Sequence, residues 1–76
     1  MINNRDKDIL LRFGSNLKRI RLSKKISQQK LEFMAGISKN QVGNIERGEV
    51  NVTLATIVAI CSALEITPEK LFTFGE

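Results

Sequence analysis

The chain has no histidine and a single cysteine among its 76 residues. Without histidine, both the commonest general base and the commonest metal ligand are missing. One cysteine, Cys61, allows no disulfide within the chain, and no other group of ligand-bearing residues has metal-site spacing. Cys61 stands in an apolar stretch without a basic neighbour in sequence, the setting of a buried inert thiol rather than of a redox sensor. There are no paired carboxylates, no nucleophile–base set and no phosphate-cradling loop, so catalysis is the poorest reading and no cofactor or metal is expected. No apolar run is long enough to span a bilayer and no signal peptide is recognisable, which leaves a cytoplasmic protein with no membrane partner as the expectation. No segment alternates in the manner of a strand.

What is present is charge arranged by position. Residues 5–25 hold eight Lys/Arg against two Asp, a net of +6, whereas residues 49–76 hold one Lys against four Glu, a net of −3. A basic end suits nucleic acid, because neutralising phosphates releases counterions. Charge alone fits a solvated lysine-rich helix as well. RNA is the weaker nucleic-acid partner, since no aromatic platform lies among the basic residues.

Helix starts repeat one grammar. Ile26-Ser27 precedes Leu31, Ile37-Ser38 precedes Val42, Val52-Thr53 precedes Ile57, and Ile66-Thr67 precedes Leu71. Each has an apolar residue, a Ser/Thr N-cap and an apolar residue at the fourth helical position, which is the hydrophobic staple. Pro68 at the first helical position reinforces the last. Upstream, Leu10, Phe13, Leu17 and Ile20 recur at three- and four-residue steps and predict one buried stripe. Leu11 and Leu22 fall on another flank, partly exposed or covered by another element. The expectation is an all-α domain with helices near 6–24, 27–35, 38–46, 53–64 and 67–73. Residues 1–5 would be a flexible arm, and 6–76 a single small domain of a size that often needs an oligomer for stability.

Residues 27–48 form the centre of this pattern. Gly36 and Gly48 stop two short helices, because a left-handed residue is cheapest as glycine. Val42 and Ile45 share the inward face of the second helix. Lys39, Asn40, Gln41, Asn44 and Arg47 are left outside, and this amide and cationic face suits a groove lined with hydrogen-bonding edges.

With these residues the chain resembles the Cro/C1-type (XRE) helix-turn-helix family of phage repressors and bacterial regulators. The matching features are Phe13-Gly14, Leu17, Ile20-Arg21, Ile26-Ser27-Gln28, Leu31, Ala35-Gly36-Ile37-Ser38, Val42, Ile45-Glu46-Arg47-Gly48, Thr53-Leu54, Ala63-Leu64 and Leu71-Phe72. They span roughly residues 13–72 in register. The resemblance implies a five-helix lambda-repressor-like domain and a sequence-specific transcriptional regulator. It implies that Arg21 pairs with Glu46 to fix the recognition helix, and that Gln28 holds a phosphate at the N-terminus of helix 2. Restriction–modification controller proteins, Cro-like switches, antitoxins and mobile-element repressors all share the small stand-alone form. A controller would act as both activator and repressor. One position departs from the pattern. The family usually has a small residue, most often alanine, where this chain has Glu32, which must then turn outward or find a partner.

On this reading the first turns after Ser38 meet base edges. Lys39 can donate to guanine O6/N7, and Asn40, Gln41 and Asn44 can pair with adenine N6/N7. Gln41 also sits where it could fold back as half of a capping box. Gly43 adds no bulk, so the helix backbone could approach the groove. Phosphate contacts are expected from Gln28, Ser38, Arg47 and Asn51, with Lys18, Arg19, Lys24 and Lys25 giving general attraction.

Helix 4, TLATIVAICSALE, is apolar nearly all round, and Val58 is left over once its core face is assigned. Phe72 and Phe74 follow close behind. A homodimer through helices 4 and 5, with Val58, Phe72 and Phe74 at its interface, would cover them. The alternative is that Phe72 and Phe74 close the monomer core. Two copies on a two-fold axis would read a palindromic operator in double-stranded DNA, with half-sites ~34–36 Å apart. Such a dimer would block RNA polymerase or recruit it. The competing class is a protein-interaction module that keeps the fold without DNA binding, whose mark would be loss of the polar recognition face. That face is intact.

Overall fold

In the computed structural model, α1 (Asn4–Ser23) turns Leu10, Phe13, Leu17 and Ile20 inward, into a core it shares with the other four helices. They are α2 (Gln28–Ala35), α3 (Gln41–Glu46), α4 (Leu54–Leu64) and α5 (Pro68–Leu71). The structure describes residues 4–74, with side chains from residue 6, and no strand occurs among them. Every helix gives the core one residue with no exposed surface: Leu17, Leu31, Val42, Ile60 and Leu71. Each such side chain stabilises the fold by about 1.5–3 kcal/mol. α2 packs on α3 and α4, while α1 carries α3 and α5.

The expected caps hold at three starts. Ser27, Thr53 and Thr67 accept the backbone N–H of Lys30, Thr56 and Lys70 at 3.0, 3.1 and 3.3 Å. The isoleucines ahead of three expected starts have a second task. The N–H of Ile26, Ile37 and Ile66 donates back to the carbonyls of Arg21, Glu32 and Cys61 at 3.2, 3.1 and 3.0 Å. Each therefore closes the preceding helix while its side chain packs against the core. The residues just before them are left-handed: Lys25 at φ 58, Gly36 at φ 68 and Glu65 at φ 58. Only one of the three is glycine.

Three boundaries differ from the sequence expectation. α1 starts at Asn4, inside the segment read as an arm; residues 1–3 of that arm lie outside the described residues. α5 is only Pro68–Leu71. α3 starts at Gln41 rather than after Ser38.

Asn16, which the apolar pattern passes over, fastens α5 to α1. Its Nδ2 donates to the carbonyls of Leu71 and Lys70 at 2.7 and 3.3 Å. Its Oδ1 accepts from Arg19 Nη2 and Nε at 2.7 and 3.2 Å. Phe13, Phe72 and Phe74 cluster beside this clamp, with ring centroids 5.0 to 6.5 Å apart. Phe74 is half-buried and closes part of the core; Phe72 stays half exposed. Leu11 lies against Gly48 and Leu22 faces solvent. Cys61 is buried, and desolvation pushes its thiol pKa up, as expected of an inert packing residue.

Candidate nucleic-acid interface

α3 is too short to hold itself together, since an isolated six-residue helix is far below the length stable in water. Its neighbours fix it. Val42 and Ile45 plug into the core. Gly14 lets α1 lie directly on the end of α3: a Cβ there would be driven into the carbonyl oxygens of Ile45 and Glu46. Arg21 Nε and Nη2 grip Glu46 Oε2 and Oε1 at 2.7 and 3.0 Å. Arg21 Nη1 donates to the Ile26 carbonyl at 2.8 Å, and Gln28 Nε2 donates to Glu46 Oε1 at 2.9 Å. Among the described residues no buried side-chain polar atom lacks a partner, the condition under which a desolvated ion pair fixes geometry instead of destabilising it.

The start of α3 is built differently from the expected Ser38 cap. The Gln41 N–H donates to the Ser38 carbonyl at 3.2 Å, forming a turn ahead of the helix. Asn40 becomes the N-cap residue, left-handed at φ 71, and its side chain makes no capping hydrogen bond. The Val42 N–H goes to Glu32 Oε2 at 3.0 Å. Glu32 is itself buried, at 7% exposure. The carboxylate that seemed out of place in the sequence has thus found the one kind of partner that a short helix leaves open.

The outer face carries the expected side chains in two groups. Ser38, Lys39 and Asn40 are exposed on the turn before α3, not on the helix itself. Gln41 is half-buried and folds back, its Oε1 accepting the Ser38 N–H at 3.3 Å. Asn44 and Arg47 form the second group. Arg47 Nη2 donates to Asn44 Oδ1 at 2.6 Å and Arg47 Nε lies 3.1 Å from Glu49. Gln28 sits at the seam of α2 and α3, tied to Glu46, and Asn51 is exposed in the loop before α4. Gly43 does not face outward. It is buried, and a Cβ on it would meet Arg47 Nη1 and Gln28 Oε1 at 3.1 and 3.3 Å. Its small size makes room for Gln28 of α2 and for Arg47.

Leu54 and Val58 of α4 are 80% and 59% exposed. Among the described residues no group of His, Cys, Asp or Glu could hold a metal ion, and no helix is long and apolar enough to cross a membrane.

Two short helices packed at a glycine turn, the second pinned by a buried pair and offering amides and cations outward, define a DNA-reading helix-turn-helix. The helix-turn-helix family matches over residues 17–71. Control protein C.BamHI of Bacillus amyloliquefaciens is 41% identical over 75 residues, covering 97% of this chain and 88% of that protein. Control protein C.SmaI of Serratia marcescens is 33% identical over 66 residues, covering 87% and 79%. The crystal structure of the restriction-modification controller protein C.AhdI from Aeromonas hydrophila superposes with a TM-score of 0.81. It is 41% identical, over 83% of this chain and 96% of that one. The chain belongs to the Cro/C1-type (XRE) helix-turn-helix family of DNA-binding transcriptional regulators.

Proposed function

We propose that the protein is a restriction–modification controller that binds a palindromic operator as a homodimer and regulates transcription, including that of its own gene. The observation that carries this reading is the polar face that Lys39 and Asn40 on the turn make with Asn44 of α3 and Arg47 at its end, held by the Arg21–Glu46 pair. Lys39 and Asn40 reach base edges from the turn, and Asn44 reads from the helix. Gln41 keeps an amide N–H₂ for the same groove while its oxygen is engaged. Arg47, Gln28, Ser38 and Asn51 flank them and take phosphates, with one N–H of Gln28 remaining beyond its bond to Glu46.

One domain reads too few base pairs to find a site in a genome, so two copies are needed. Support for pairing comes from Val58 and Phe72, apolar and more than half exposed on neighbouring elements. Phe74 backs Phe72 from the core side, at 6.4 Å between ring centroids. A bound dimer blocks RNA polymerase where its site overlaps a promoter and recruits it from an upstream site. The names of the similar control proteins favour the controller role over the other small regulators of the family.

The test is a gel-shift on DNA flanking the protein's own gene, at two salt concentrations with excess random competitor. A discrete complex of two protomers that survives competitor is expected. Its absence even at low salt would move the reading to a protein-interaction module.

A further inference from the structure

We infer that Glu32 is a positioning residue for DNA reading, because it caps α3 from outside and so releases Asn40 from capping. This rests on the DNA-recognition role of the face just described.

The N-terminus of a helix leaves backbone N–H groups without partners, and a nearby Ser or Asn side chain ordinarily takes one of them. Both residue types stand at the start of α3, and neither does so. Asn40 makes no capping bond. The donor that Asn40 would satisfy as N-cap, the Val42 N–H, is taken by Glu32 Oε2 at 3.0 Å, across from the neighbouring helix. Val42 has no exposed surface and Glu32 has 7%, so water does not compete for this bond. A carboxylate acceptor makes it stronger than a neutral amide would, and its charge suits the positive end of the helix.

Two consequences follow. The amide of Asn40 remains available on the exposed turn, beside Lys39. The turn also keeps its shape, because α2, which carries Glu32, and α3, which carries Val42, are bridged by one side chain across the segment that holds Gly36 and Asn40, left-handed at φ 68 and 71. Remove the acceptor at position 32 and the Val42 N–H must recruit another. The N-cap residue Asn40 stands two residues before it, the position from which a side chain ordinarily takes that donor, and capping would pull its amide off the DNA.

The experiment compares wild type, Glu32→Ala, Glu32→Gln and Glu32→Asp for affinity on operator and random DNA, with hydrogen exchange of the Val42 amide in the free protein. Glutamine keeps an acceptor of equal reach; aspartate keeps the charge but withdraws it by one methylene. The ratio of operator to random affinity should fall about tenfold in Glu32→Ala and Glu32→Asp and stay near wild type in Glu32→Gln. Val42 exchange should speed up in the first two variants only. Asn40→Ala should cost discrimination in the wild-type background and almost none in Glu32→Ala, a non-additivity that simple loss of stability would not produce. A folded Glu32→Ala protein with full discrimination overturns the inference. So does equal loss in Glu32→Ala and Glu32→Gln, which would assign the effect to charge. Should Glu32→Ala not fold, the contrast between Gln and Asp decides alone. If wild type shows no discrimination on any DNA, the recognition reading has failed and the positioning role falls with it, whereas Val42 exchange still reports the cap by itself.

Discussion

Arg21 and Glu46 meet through two parallel hydrogen bonds, at 2.7 and 3.0 Å, with their side chains only 7% and 3% exposed. They lie 25 residues apart in sequence, so this pair sets how α3 rests on α1. Glu46→Ala leaves a buried guanidinium without its counter-charge and should cost about 3–5 kcal/mol. That is most of the stability of a small domain. The double variant Arg21→Met/Glu46→Leu should recover the greater part, as read by urea denaturation. Equal destabilisation of the single and double variants would contradict the assignment.

Gly14→Ala should destabilise the protein by about 1–3 kcal/mol, because the added methyl meets backbone carbonyls of α3, which cannot turn aside as a side chain could. Thermal melting checks the loss. Any residual folded protein should also bind operator less well, since α3 would have shifted.

Glu65 ends α4 in a left-handed conformation at φ 58 without glycine's freedom. Glu65→Gly should therefore stabilise by about 0.5–1 kcal/mol, the relieved strain exceeding the entropy glycine adds to the unfolded chain. Chemical denaturation gives the sign directly. A loss of stability would mean that the strain is small.

Asn44→Ala should lower operator affinity by about 1–3 kcal/mol and leave random-DNA affinity nearly unchanged. Lys39→Ala should flatten the dependence of log affinity on log salt by about one unit. Titrations at three salt concentrations separate the two effects. Equal loss on operator and random DNA would remove Asn44 from base reading.

Burial raises the Cys61 thiol pKa above its ordinary value. Below the unfolded-state value both forms are protonated and the group has no effect on stability. As pH rises past it, the unfolded chain ionises first and stability falls, until the folded thiol ionises too. Stability should therefore decline above about pH 8.5–9, and Cys61→Ala should remove that part of the decline. Native Cys61 should react with a thiol reagent only as fast as the protein opens.

The helices were legible because their starts are local chemistry: a Ser or Thr, an isoleucine or valine before it, an apolar residue after. Ser27, Thr53 and Thr67 behave as that grammar requires. Ser38 obeys the same grammar in sequence and not in space, because its carbonyl closes a turn with the Gln41 N–H and a residue on another helix caps α3 instead. Nothing local to Ser38 signals this. The only trace was Glu32 at a position that resembling proteins fill with a small residue, and its partner could be named only once α2 and α3 were in place. Asn16 was missed for a related reason. It lies within the spacing of the apolar stripe, but its acceptors are carbonyls 54 and 55 residues away. That Gly43 is buried beside Gln28 and Arg47 was not legible, because periodicity fixes relative angle along a helix, not which neighbour each flank meets.

Asn16 also gives the molecule a property that none of its helices has alone. α1 is gripped by α5 at Asn16, by α3 at Gly14 and again by α3 at Arg21, all within two turns of one helix. In a pair of copies joined through α4 and α5, α1 becomes the ruler between the joint and the reading edge. A ruler this short has little play, so the pair should tolerate substitutions inside an operator far better than the insertion of a single base pair between its halves.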